Sequence, residues 1–210
     1  MDTMVFGFLL FHGLEELDLV GPWEMAGMWS KYGSGPEHLL MIAEKKAPVL
    51  CSKCMSLNPH ADFSGCPDLD YLLIPGGEGT RTEVDNPVFM KFVADRAVRC
   101  RAVLSVCTGS FILQKAGLLA GKRATTHWAS LERMREFSDV EVVEERIVQD
   151  GSIWTASGVS AGIDLMLSFI ACEAGQEIAG LVQLAAEYFP TGARYGNAHA
   201  SDKAPAYLRR

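Results

Sequence analysis

At 210 residues, with 49% hydrophobic and 21% charged side chains, the chain can bury a core, and disorder over most of its length is excluded. A net charge of −7 without a basic run speaks against nucleic acid or an anionic membrane as partner. No apolar run approaches the ~18 residues that cross a bilayer, and Met1-Asp2 leads into a strand pattern without a basic segment, so a cytoplasmic protein is expected.

The pattern then alternates between strands and helices. Val5 to Phe11 is an almost continuous apolar run, as in a strand buried on both faces. Pro22 in a first turn predicts a helix to Lys31. His38–Ala43 reads as a strand, Val49–Asn58 as a small hairpin, and Tyr71–Ile74 as a buried strand stopped by Pro75-Gly76-Gly77. Asn86-Pro87 opens a helix to Arg99, and Ala102–Val106 is a fourth buried strand. A helix from Phe111 to Ala116, a strand from Arg123 to Thr126 and a helix from Ala129 to Phe137 follow. Val140–Glu144, Arg146–Gln149 and Ile153–Ala156 read as strands, with Asp150-Gly151 as a hairpin turn. Helices over Ala161–Ala174 and Glu177–Glu187 end a single domain of residues 1–188, and residues 189–210 form a polar tail. This alternation predicts an α/β sandwich on a mostly parallel sheet, with ligands at the C-terminal strand ends.

Six cysteines stand at 51, 54, 66, 100, 107 and 172. Cys51-x-x-Cys54 with His60 and Cys66 has the donors for a zinc site but lacks a second knuckle, so a hairpin carrying thiols is the expectation. Cys107 lies between a buried strand and a helix, the place of a nucleophile elbow. The helix N-terminus should lower its pKa below the free value of about 8.5 and make it the most readily oxidised thiol. The Pro75-Gly76-Gly77 loop is read as a source of backbone N–H groups for developing negative charge.

Leu17-Asp18-Leu19-Val20-Gly21-Pro22, Ile74-Pro75-Gly76-Gly77, Ser105 to Ser110, Gly121 to Trp128 and Ser160 to Asp164 together resemble the ThiJ/PfpI superfamily over almost the whole chain. The resemblance implies a class I glutamine-amidotransferase-like fold: a flavodoxin-like three-layer sandwich with a cysteine nucleophile elbow. Two groups share this motif set, the isonitrile hydratases and the ligand-sensing domains of AraC-type regulators; the hydratases stand nearest. The resemblance implies Cys107 as nucleophile and Asp18 as its carboxylate, where most of the superfamily has Glu. Thr108 follows the nucleophile, so an adjacent Cys-His pair is absent, which speaks against a peptidase.

The implied activity is hydration of an isonitrile, a small-molecule substrate, to a formamide, without metal or organic cofactor. A non-catalytic sensing role, or a glyoxalase-like or amidase activity, is the alternative. Thr108 is expected to place its hydroxyl beside substrate, and the N–H groups of Gly77 and Thr108 to form the oxyanion site. His127, Gly76, Gly158 and Val159 are expected around the pocket, Glu15 and Glu16 on a solvated turn, and Arg81 at the cleft rim. A homodimer is expected through the first helix: Trp23, Met25, Met28 and Trp29 exceed what one face can bury, and Tyr195 and Tyr207 could anchor the tail on a partner.

Overall fold

The computed structural model describes residues 3–33, 35–202 and 204–209; Met1, Asp2, Ser34 and the tail's Lys203 and Arg210 lie outside them. In chain order its elements are β1 (Val5–Leu9), α1 (Glu16–Tyr32), β2 (His38–Ala43), β3 (Val49–Leu50), β4 (Ser56–Leu57), β5 (Ala61–Asp62), β6 (Tyr71–Ile74), α2 (Thr80–Glu83), α3 (Pro87–Ala97), β7 (Ala102–Val106), α4 (Gly109–Lys115), β8 (Lys122–Ala124), α5 (Leu131–Arg135), β9 (Val140–Val142), β10 (Ile147–Asp150), β11 (Ile153–Ala156), α6 (Ala161–Ala174), α7 (Gln176–Ala185) and α8 (Ala206–Arg209). Seven strands form one sheet in the order β10-β11-β7-β6-β1-β2-β5, parallel throughout except for the β10–β11 hairpin. Every residue of β1, β6 and β7 is buried. Unbroken apolar runs such as Tyr71–Ile74 suit strands covered by helices on both faces. The fold is the α/β sandwich with a mostly parallel central sheet.

The first helix departs from the sequence expectation. It begins at Glu16, not Pro22, so Pro22 lies inside it. Pro22 has no N–H to offer the Asp18 carbonyl one turn back. The compensation is packing: a Cβ at Gly162 would stand 2.9 Å from Pro22 Cγ, and one at Gly21 2.9 Å from Ile163 Cγ1. Glycine lets α1 and α6 approach at this crossing, so two motif segments meet for a steric reason. Asp164, in the second of them, takes the Arg146 guanidinium at 2.7 Å and ties α6 to the segment entering β10.

Three other expectations change. The strand after Gly121 pairs with β9 outside the main sheet. Ala129–Phe137 breaks into a 3-10 turn and the short α5. Met25 and Trp29 are buried, and Trp23 packs edge-on against Phe8 and stacks on His60, so both tryptophans find partners within the chain. The tail folds back: the Ala206 N–H donates to Glu144 at 2.9 Å, Pro205 is buried and Tyr207 half-buried, while Tyr195 is exposed.

Candidate active site

The connections after β1, β6, β7 and β11 converge at one end of the sheet. Cys107 follows β7 and holds φ at 56°, the left-handed conformation that costs a non-glycine residue about 1–3 kcal/mol. Its surroundings enforce it: its N–H donates to the carbonyls of Ala156 (3.0 Å) and Ser157 (3.1 Å). Its carbonyl accepts the hydroxyls of Ser110 (3.1 Å) and Thr126 (3.0 Å). The elbow is therefore bolted to β11 and to the Thr125-Thr126 segment. Thr126 belongs to the Gly121–Trp128 motif, but its role comes from tertiary contact.

Asp18, on α1, is fully buried. One carboxyl oxygen accepts the Gly76 N–H at 2.9 Å; the other, Oδ1, has no partner. The carboxyl lies beside the Cys107 thiol, near enough that each group shifts the other's pKa. Gly76 must be glycine: a Cβ there would lie 2.7 Å from Cys107 Cβ and 2.8 Å from Asp18 Oδ2. Burial pushes Asp18 up to about 8, against the Gly76 bond that favours its anion. Burial, then the Asp18 charge, push Cys107 up to about 12, while the Thr108 N–H and hydroxyl at the sulfur pull the other way. The expected depression of the thiol pKa is overturned. A seven-residue helix cannot outweigh burial beside a carboxylate. The two groups titrate as a unit that resists a second negative charge.

The oxyanion expectation also needs correction. The Gly77 N–H is already committed to Thr108 Oγ1 at 2.9 Å. The Thr108 hydroxyl lies 3.1 Å from the Gly77 carbonyl and 3.2 Å from the Thr80 hydroxyl, which itself bonds the Gly77 carbonyl at 2.8 Å. Thr80, unmarked by the sequence, completes this ring. The donors at the sulfur both belong to Thr108.

A Cβ on Gly158 would overlap His127 Cδ2 and stand 3.2 Å from Cys107 Sγ, so Gly158 and His127 wall the thiol; Val159, next in the chain, is half-buried. His127 Nδ1 accepts the Ala129 N–H at 3.3 Å, and burial lowers its pKa. A neutral imidazole with Nδ1 occupied carries its proton on Nε2, a donor rather than a base.

Glu15 and Glu16 are not on a solvated turn. Glu16 is buried and accepts the Lys53 N–H at 2.5 Å and the Ser52 hydroxyl at 3.1 Å, and Glu15 pairs with Lys53 Nζ. These contacts brace the β3–β4 turn against the start of α1. Cys51 and Cys54 lie in that turn, while His60 Nδ1 accepts the Met41 N–H at 2.9 Å and Cys66 lies beside Pro67. Among the described residues no group of three or more His, Cys, Asp or Glu side chains is placed to hold a metal ion, and no helix is long and apolar enough to cross a membrane.

Residues 6–172 match the model of the DJ-1/PfpI family. The chain is 38% identical over 185 residues to an isonitrile hydratase of Pseudomonas putida, covering 88% of this chain and 78% of that one. It is 31% identical over 180 residues to the HTH-type transcriptional regulator GbdR of Pseudomonas aeruginosa, covering 84% of this chain but 48% of the regulator. The crystal structure of a ThiJ/PfpI family protein from Pseudomonas syringae superposes with a TM-score of 0.86 at 34% identity, over 100% of this chain and 84% of that one. With an elbow cysteine against a buried carboxyl, and with these matches, the chain belongs to the DJ-1/PfpI family.

Proposed function

We propose that the protein adds water to isonitriles and releases N-substituted formamides. The observation that carries this is the buried pair of Cys107 and Asp18, one nucleophile and one proton carrier side by side against Gly76. The likeness to the Pseudomonas putida hydratase supports the same reading.

The sulfur of Cys107 attacks the terminal isonitrile carbon and forms a C–S bond. The proton shared by the thiol and Asp18 passes to that carbon, which gives a thioimidate. Asp18 then takes a proton from water as its oxygen adds to the same carbon. Asp18 passes that proton to the nitrogen; the adduct's hydroxyl proton goes to the Cys107–Asp18 pair as the C=O bond forms and the C–S bond breaks, and the thiol is restored. The sum is isonitrile plus water giving formamide. The Thr108 N–H and hydroxyl steady charge on the sulfur; Gly77 acts through Thr108. The electrophile is reactive enough that these residues need no cofactor.

Formamide production from cyclohexyl isonitrile tests the proposal. Turnover by the wild type that is lost in Cys107→Ala supports it, and absence of turnover with cyclohexyl and para-nitrophenyl isonitriles overturns it. The regulator relative carries a second reading, a sensing domain that holds the ligand without turnover. Saturable isonitrile binding with no formamide would favour that one.

The active unit is proposed to be a cytoplasmic homodimer. Exposed Leu17, Leu50 and Met55 on α1 and the β3–β4 hairpin support it, in place of the tryptophans. Light scattering on a gel-filtration eluate decides: a mass near that of one 22.9 kDa chain at all concentrations removes the dimer.

A further inference from the structure

Arg133 stands apart among the arginines. Arg96 and Arg99 pair with Asp68, Arg101 with Glu173, Arg123 with Glu145, Arg135 with Glu144 and Arg146 with Asp164. Arg133, on α5, has no carboxylate within ion-pair distance among the described residues. Its guanidinium carbon lies 3.8 Å from the Phe111 ring centroid, and its Nε is buried without a hydrogen-bond partner. Burial lowers its pKa, the Arg81 charge lowers it further, and Glu136 opposes both without pairing. A partly desolvated guanidinium with a second one nearby is a costly arrangement, and an unsatisfied buried donor calls for a reason.

The rest of the guanidinium fronts an open space. Arg133 and Arg81 line a cavity of about 340 Å³ with Thr80, Lys115, Phe111 and Phe137. No acidic side chain lines this cavity. Arg81 meets Glu78 only at 4.0 Å, and Lys115 is drawn to Asp85 at 3.5 Å, so the guanidinium groups hold the cavity's unmatched charge. The volume lies in the range of small-molecule pockets. Two aromatic walls and two planar guanidinium forks match a carboxylate on a flat or short carbon frame.

The cavity shares a wall with the thiol site. Thr80, which lines it, bonds the Gly77 carbonyl and the Thr108 hydroxyl, and Phe111 returns its N–H to the Thr108 carbonyl at 3.1 Å. We propose that this cavity is a carboxylate-binding subsite, holding the acid group of a substrate whose isonitrile end is presented to Cys107. The substrate class is then an isonitrile that bears a carboxylate. The substrate half rests on the hydration reading; the carboxylate site does not.

Two measurements separate them. Benzoate, titrated calorimetrically, should bind the wild type saturably, bind Arg133→Lys more weakly and Arg133→Gln not at all. Arg81→Gln, at an exposed position, should weaken binding too and keeps the test open if Arg133→Gln fails to fold. No binding by the wild type, or equal binding by the variants, overturns the site. Next, kcat/KM for 4-isocyanobenzoate is divided by that for cyclohexyl isonitrile. Arg133→Gln and Arg81→Gln should cut this ratio roughly tenfold or more, chiefly through KM. An unchanged ratio overturns the substrate class. No turnover of either isonitrile by the wild type overturns the hydration reading and the substrate half with it, while the benzoate titration still decides the site.

Discussion

Cys107 and Cys54 both hold a left-handed backbone, at φ 56° and 67°. Cys54 is exposed in the β3–β4 turn, its N–H bonded to the Cys51 carbonyl at 3.2 Å. Cys107 is buried, its backbone fixed by four bonds, three of them from two other segments, and its sulfur set against Asp18, Thr108 and Gly158. The same conformation makes a turn in one place and the proposed reaction centre in the other. What differs is whether the surrounding chain was built around the sulfur.

The sharpest way to break this comparison is to remove each thiol. Cys107→Ala should lower formamide production by roughly 10³-fold or more, as loss of a covalent nucleophile does. Cys54→Ala should leave it within twofold. Similar losses in both would mean that the hairpin thiol takes part in turnover.

Asp18→Asn comes next. General acid–base catalysis is worth roughly 10²–10⁴-fold, and kcat should fall on that scale. Stability gives an independent reading. A carboxyl held at about 8 against an ordinary 3.8 keeps a proton that the unfolded chain releases. The wild type should therefore lose stability as pH rises from about 4 to 8, and Asp18→Asn should flatten that slope. Its Tm at pH 8 should exceed the wild type's, and a wild-type Tm that does not fall relative to the variant's between pH 5 and 8 would contradict the buried acid. Activity should rise through the same pH of about 8, where the pair loses its first proton.

Much of the sheet is legible in the sequence, because strands covered on both faces are predominantly apolar. Tyr71–Ile74, Ala102–Val106 and Ile153–Ala156 match their observed bounds for that reason. The start of α1 is not legible. Glu15 and Glu16 look like a solvated turn until Ser52 and Lys53, more than 35 residues on, supply their partners. The elbow is legible from its strand–helix setting. The direction of its pKa is not: a helix terminus is a local feature, whereas burial and the facing carboxyl come from folding. The state of the Gly77 N–H is hidden likewise, since only the fold brings Thr108 Oγ1 to it.

A smaller effect is expected at Gly158. A side chain there must displace His127, since its Cβ would overlap the ring and crowd Sγ at 3.2 Å. Gly158→Ala should reduce kcat/KM by roughly tenfold, the cost of misplacing reacting groups by a fraction of an ångström. Alkylation of Cys107 by iodoacetamide should slow in parallel. Unaltered alkylation with reduced turnover would place the effect on substrate rather than on the thiol.

The smallest effect tests the hairpin itself. Lys53 contributes in two ways: its ammonium pairs with Glu15, and its backbone N–H enters the buried Glu16 carboxylate. The ammonium side chain is 68% exposed, and exposed pairs are worth ~1 kcal/mol or less. The backbone bond persists whatever side chain residue 53 carries. Lys53→Ala should therefore lower stability by less than ~1 kcal/mol in urea unfolding and leave kcat within twofold. High salt should lower the wild type toward the variant, because it screens the pair that the variant lacks. A larger loss of kcat would mean that the ammonium, and not the backbone bond, holds the start of α1 and so the position of Asp18. In that case the hairpin would belong to the reaction centre after all.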